Sequence, residues 1–227
     1  MDTIKSKYHE TLAATVIKNL EKRQMEGYYC PTVEDAEKLA FSFLKDGQTV
    51  SFGGSMTLEE TGMLTMRFCL PISGDYPKDI AIFPDGQHLA SINHDGSISF
   101  FKINYEKGLS SDVYFMSTNA ITTGGELVNI DGTGNRVAAL IYGPETVVIL
   151  AGMNKIAANV DEALSRVHNV ATAQNCIRLD KKTPCAITGA CADCLSPDCI
   201  CNQVVITRRS GIKGRIKVLL IGESFGY

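Results

Sequence analysis

The stretch "TPCAITGACADCLSPDCICN", residues 183–202, carries five of the chain's eight cysteines. Cys185, Cys191, Cys194 and Cys201 are spaced C-x5-C-x2-C-x6-C, with Cys199 as an extra thiol. Soft thiolates gathered in a short loop can surround zinc or an iron–sulfur cluster, and Cys191-x2-Cys194 is a common chelate spacing. The run lacks the second C-x2-C knuckle of a zinc ribbon and the repeated C-x2-C of a bacterial ferredoxin. A reversible disulfide, or buried thiols without chemistry, therefore stays open beside the metal reading. Cys30, Cys69 and Cys176 stand apart and read as core residues.

Two glycine-bearing stretches suit ligand binding. In "SFGGSMTLEE", Gly53 and Gly54 let the backbone approach an anion, the following helix points N–H groups at it, and Ser55 and Thr57 add hydroxyls. A tight turn with Ser55 as an ordinary N-cap explains the same residues equally well. Glu59 and Glu60 lie one turn further on, where a carboxylate complements the helix dipole. Glu59 is retained as a candidate proton carrier. In "STNAITTGGELVNIDGTGNR", 117–136, Asn119, Asn129, Asp131 and Asn135 alternate with Gly132 and Gly134, as in loops at the carboxyl ends of parallel strands. Asx turns are the competing explanation. Asp131 is the member able to exchange a proton, and so the candidate catalytic group. His9, His88, His94 and His168 share no spacing and read as surface residues. No G-x-S-x-G, phosphate-loop or complete G-x-G-x-x-G motif occurs.

The elements that must position these groups follow from periodicity. Leu12, Val16, Ile17 and Leu20 predict one helix; Val33, Ala36, Leu39, Ala40 and Phe43, after Thr32 as N-cap, predict a second that Gly47 ends. Strands are expected at 48–52, 112–118, "GELVNI", 146–150, "QVVIT" and "IKVLLIG", with helices near 134–141 and 160–174. The second of these turns Val160, Ala163, Leu164, Val167 and Val170 to one face. Such alternation predicts an α/β fold with a mostly parallel sheet covered by helices. Residues 67–109 depart from it: "DIAIF", "HLASI" and "SISFFKI", separated by "PDG" and "HDG", predict an antiparallel meander.

Composition narrows the function. With 44% hydrophobic residues among 227, the chain can bury a sizeable core as a single domain over 1–227. Net charge is −3 and the basic residues are scattered, so no nucleic-acid partner is expected. No apolar run reaches the ~18 residues of a membrane span, and the N-terminus lacks a signal core, so the expected location is cytoplasmic.

The segments "GGSMTLEETGM", "STNAIT", "GELVNIDGTGNRVAALIYGP", "AGMNKI" and "KTPCAITGACADC" resemble, in order and spacing, the LUD (lactate-utilization) domain family, as in the lactate-utilization protein C group, over residues 1–64 and 111–227. The resemblance implies the three-layer α/β fold of ribose-5-phosphate isomerase, glucosamine-6-phosphate deaminase and CoA transferases. It also implies a role in organic-acid (lactate) utilization, with iron–sulfur proteins of a lactate-oxidation system as partners. A small carboxylate, acyl or phosphate ligand would then sit at Gly53, Gly54, Ser55 and Thr57, with the 129–135 loop orienting it. The alternative is a non-catalytic accessory or electron-transfer subunit whose cysteines hold zinc or an iron–sulfur cluster. Residues 67–109 are instead similar to one blade of a lactonase-type β-propeller, that of 6-phosphogluconolactonase, and Cys199 departs from the family pattern.

Overall fold

The structure, a computed structural model, describes residues 3–45, 48–63, 88–92, 98–103 and 108–227. Helix α1 (Thr3–Lys22) buries Ala13, Val16 and Leu20, one apolar stripe at helical spacing. After β1 (Glu26–Cys30), which the sequence reading did not anticipate, α2 (Val33–Ser42) begins at Thr32, whose hydroxyl accepts the Asp35 amide at 3.2 Å. Gly47, expected to end α2, lies outside the described residues; the helix stops at Ser42 with Phe43 as its C-cap.

The chain continues through β2 (Thr49–Phe52), α3 (Met56–Glu60), β3 (His88–Ile92), β4 (Ile98–Ile103), β5 (Val113–Met116), β6 (Ala120–Thr122) and β7 (Leu127–Asp131). Then follow α4 (Asn135–Ile141), β8 (Thr146–Gly152), β9 (Ile156–Ala157), α5 (Val160–Arg166), α6 (Ala173–Arg178), α7 (Pro184–Thr188), β10 (Gln203–Thr207) and β11 (Ile216–Ile221). The central sheet has the order β1-β11-β8-β5-β2-β4-β3, parallel at every junction except the antiparallel edge pair β3/β4. A smaller sheet, β10-β7-β6-β9, lies apart from it.

Three layers follow from the pleat. Successive side chains on a strand point to opposite faces, so a strand covered on both sides must be apolar throughout. Tyr114, Met116, Val147, Ile149, Val218 and Leu220 join the α1 stripe in one core. Their neighbours Val113, Phe115, Val148, Leu150, Leu219 and Ile221 join Ala36, Ala40 and Leu58 in another. The mostly parallel α/β fold expected from the alternation is the fold of the protein. Among the described residues, no helix is long and apolar enough to cross a membrane.

Two expectations need correction. The propeller-blade reading of 67–109 fails because β4 pairs in parallel with β2 and extends the central sheet, whereas a blade is antiparallel throughout. "DIAIF" lies outside the described residues. The helix expected at 160–174 is present and runs on to Arg178, but a π-helical stretch over Val167–Thr172 widens it, and Val170, expected on the apolar face, is exposed.

Arg215 ties the layers together. Its buried guanidinium donates to the carbonyls of Leu140 at 2.7 Å and Ala139 at 2.9 Å, in the last turn of α4, and to Pro144 O at 2.8 Å. These last-turn carbonyls have no partner within the helix. Arg215→Ala is expected to lower the unfolding free energy by roughly 3 kcal/mol, because buried acceptors lose a charged donor. Urea denaturation reads this; a change below about 1 kcal/mol would mean that water replaces the arginine.

Candidate functional site

The carboxyl ends of β2, β5 and β8 open on one side of the central sheet, the usual crevice of an open α/β fold. A cleft of about 310 Å³ lies there. The two glycine stretches meet in it: Gly54, Ser55 and Thr57 line one wall, and Asn119, Asp131, Gly132 and Asn135 line another. Gly53 sits behind the wall, where an added Cβ would be 3.0 Å from Tyr114 Oη and 3.1 Å from Arg136 Cγ. Gly54 faces open space. Ser55 is the N-cap of α3, its hydroxyl accepting the Leu58 amide at 3.4 Å. Glu59 is exposed and does not line the cleft.

Arg136, at the start of α4, organises the second wall. Its Nη1 donates to Ser117 O at 3.1 Å and Asn129 Oδ1 at 2.7 Å; its Nη2 donates to Asn119 Oδ1 at 3.1 Å and Ile130 O at 2.9 Å. Nε pairs with Asp131 Oδ2 at 3.4 Å. The guanidinium thus makes four hydrogen bonds through its two Nη atoms and one ion pair through Nε. Asp131 Oδ1 accepts the amides of Thr133 and Gly134 at 3.1 and 2.7 Å, closing an Asx turn. Gly134 takes φ +91°, where a side chain would be strained, and so starts α4 without a capping side chain. Asn129 is fully buried behind the cleft, and its Nδ2 has no hydrogen-bond partner. Both carboxylate oxygens of Asp131, the candidate catalytic group, are engaged in holding the loop.

Lys155 completes the cleft. It ends the short 3₁₀ turn after β8, only 4% exposed, and its Nζ donates to Thr57 Oγ1 at 2.8 Å and Ser117 Oγ at 3.1 Å. Burial pushes its amine down to about 7, helped by the positive charges of Arg166 and Arg136 and opposed by Glu60. As a neutral amine, Lys155 spends both N–H groups on the two hydroxyls and keeps its lone pair. Thr57 in turn donates to Phe225 O at 3.3 Å, and Gly226 N–H donates to Glu60 Oε2 at 2.6 Å, so the 225–227 tail is strapped over α3 and places Tyr227 on the cleft.

The cysteine loop folds back on α6. Cys185, Cys191, Cys194 and Cys201 line a separate cavity of about 30 Å³, and Cys176 and Cys199 join them there. Cys176 is a core residue, as its isolation in the sequence suggests, and it also lines this cavity. Among the described residues, no three cysteine, histidine or carboxylate groups are arranged to hold a metal ion, and the described cysteines are all free thiols. The donors as placed do not fit a zinc ion. His168 is not a free surface residue: it lines this cavity, its Nδ1 3.6 Å from Cys191 Sγ.

The family model of the LUD domain matches residues 13–221. The chain belongs to the LUD domain family. A crystal structure of a DUF162 family protein from Deinococcus radiodurans is similar to it at 9% identity and a TM-score of 0.48, covering 94% of this chain and 98% of that one. No curated protein matches the chain.

In this LUD domain the sequence reading located both loops of the cleft but missed Ser117, Arg136 and Lys155. Lys155 carried a signal: it is a lone cation just past the apolar strand "TVVILAG", where a side chain reaches the end of a buried sheet. Its placement has a thermodynamic consequence. Because its folded-state value is lowered from 10.5 to about 7, the folded chain binds fewer protons than the unfolded one between these values, and stability rises with pH across that window. The buried amine costs about 4–5 kcal/mol at pH 6 and about 2 kcal/mol at pH 9. Lys155→Met should therefore raise the melting temperature, and by more at pH 6 than at pH 9. An equal gain at both pH values would sink the assignment of that cost to burial.

Proposed function

We propose that the cleft binds a small carboxylate of the lactate and pyruvate type, an organic acid or its acyl derivative, with Lys155 as the group that carries the chemistry. One observation carries this reading. Lys155 is a buried amine whose hydrogen bonds go to two hydroxyls, inside a cleft of substrate size. Arg136 and Arg166 add positive charge around it, while Asp131 is the carboxylate of the cleft wall and is already paired. Glu60 opposes these charges, so the cation that an anion would meet in the cleft is Lys155 itself once protonated. Membership of the LUD family supports a lactate-related ligand.

In this reading the residues divide their tasks. Thr57 and Ser117 hold Nζ in place, and the amine takes a proton from, or returns one to, the hydroxyl or carbonyl oxygen of the ligand. Asp131 is a positioning residue that fixes Arg136 and the 131–134 turn. Gly54, Asn119 and Asn135 shape the pocket.

An anion beside Lys155 raises its proton affinity, so binding should take up a proton near neutral pH. Calorimetric titration of pyruvate, L-lactate and phosphate in two buffers of different ionisation enthalpy reads that uptake directly. The dissociation constant of the bound acid should rise by up to about tenfold per pH unit above 7, and Lys155→Met should weaken binding by at least about tenfold. Binding with no proton uptake and no loss in Lys155→Met would remove Lys155 from the site.

A further inference from the structure

The thiol cavity gathers six cysteines without a metal-holding arrangement, and their surroundings differ sharply. Cys176 and Cys185 are buried in an apolar cluster with Ala173, Ala186 and Ile200. Burial pushes the Cys176 thiol up and lifts Cys201 to about 11, which makes both poor nucleophiles. Cys199 donates to Asn202 Oδ1 at 3.2 Å. Cys191 differs in its partners: its sulfur accepts the Asp193 amide at 3.4 Å, and the His168 imidazole lies 3.6 Å away. The backbone N–H and the imidazole fix the position of this sulfur in the cavity. Asp193 takes φ +47°, turning the chain tightly inside Cys191-Ala192-Asp193-Cys194 and bringing the half-buried Cys194 to the same cavity.

We propose that Cys191 and Cys194 form a thiol–disulfide exchange site. The Cys191 thiolate attacks one sulfur of a low-molecular-weight disulfide RSSR, forming a protein–SR mixed disulfide and releasing RS⁻. Cys194, giving up its proton, attacks Cys191 Sγ, forms the intramolecular disulfide and releases the second RS⁻. Two protein thiols lose two electrons and two protons; RSSR becomes two RSH. Ile200 lines both this cavity and the cleft, and its Cα would lie 3.3 Å from a Cβ at Gly132, so the redox state of the loop bears on the cleft wall.

The test uses the reduced full-length chain, purified without oxygen and exposed to glutathione disulfide. The denatured thiol count should fall from eight to six, with the disulfide mapped by peptide mass to Cys191–Cys194. Cys194→Ser should stall as a single glutathione adduct on Cys191, and Cys191→Ser should lose no pair of thiols. His168→Gln should slow adduct formation by about tenfold or more. A count that stays at eight, a disulfide mapped elsewhere, or stoichiometric iron or zinc in the purified protein would overturn the assignment. None of these readouts depends on a ligand in the cleft, so this proposal and the carboxylate reading fail independently.

Discussion

The site depends on one buried guanidinium. Arg136 joins the ends of β5 and β7 to the start of α4 through a web of hydrogen bonds and the Asp131 carboxylate. A charge this deep is tolerable only when its desolvation is compensated by well-placed acceptors. The acceptors are loop atoms that would otherwise need partners of their own. The arginine and the loop therefore stabilise each other, and the cleft is held open by a structure that has little freedom to collapse into it. Removing either side would leave a buried charge or a set of buried carbonyls unpaired.

The central sheet supplies the frame for that web. Parallel strands apolar on both faces place α1 on one side and α2 and α3 on the other, and their carboxyl ends necessarily fall at one edge. Lys155 reaches the cleft because β8 is central: β11 and β5 flank it, and the 3₁₀ turn that follows turns the amine toward the ends of its neighbours. Burying an amine without a carboxylate in hydrogen-bond contact costs stability that the apolar layers must offset. That cost falls where the ends of the central strands meet, and replacing the amine by an apolar side chain of similar length would relieve it.

Local chemistry was legible in the sequence where periodicity or a cap decided it. The α1 stripe, Thr32 as N-cap, the strands β2, β5, β8 and β11 and the two glycine loops all follow from spacing. The parts that escaped were set by tertiary contact. Nothing local marks Arg136 as the hub of the loop, because its partners come from 117–131. Likewise Cys176 reads as a lone core thiol until α6 packs against α7. The π-turn at Val167–Thr172 defeated a correct apolar pattern, since a single widened turn shifts the face of every later residue. The meander was read as a foreign blade because hairpin signals specify local pairing only. Which sheet β4 joins is decided by β2, far away in sequence.

The π-turn also links the two sites. It carries His168 to the thiol cavity, and α5 before it carries Arg166, whose Nη1 donates to Asn119 O at 2.6 Å in the cleft wall and whose charge lowers the Lys155 amine. On the other side Ile200 packs on Gly132, and Asn202 Nδ2 donates to Gly132 O at 2.9 Å. The cysteine loop is thus clamped to the cleft from two directions, through α5 and through the 131–134 turn. A covalent change at Cys191 strains a tight turn whose ends are fixed to both clamps, and a well-packed interior transmits such strain rather than absorbing it. If the loop exchanges thiols as proposed, Gly132 is the point at which its displacement would reach the cleft wall.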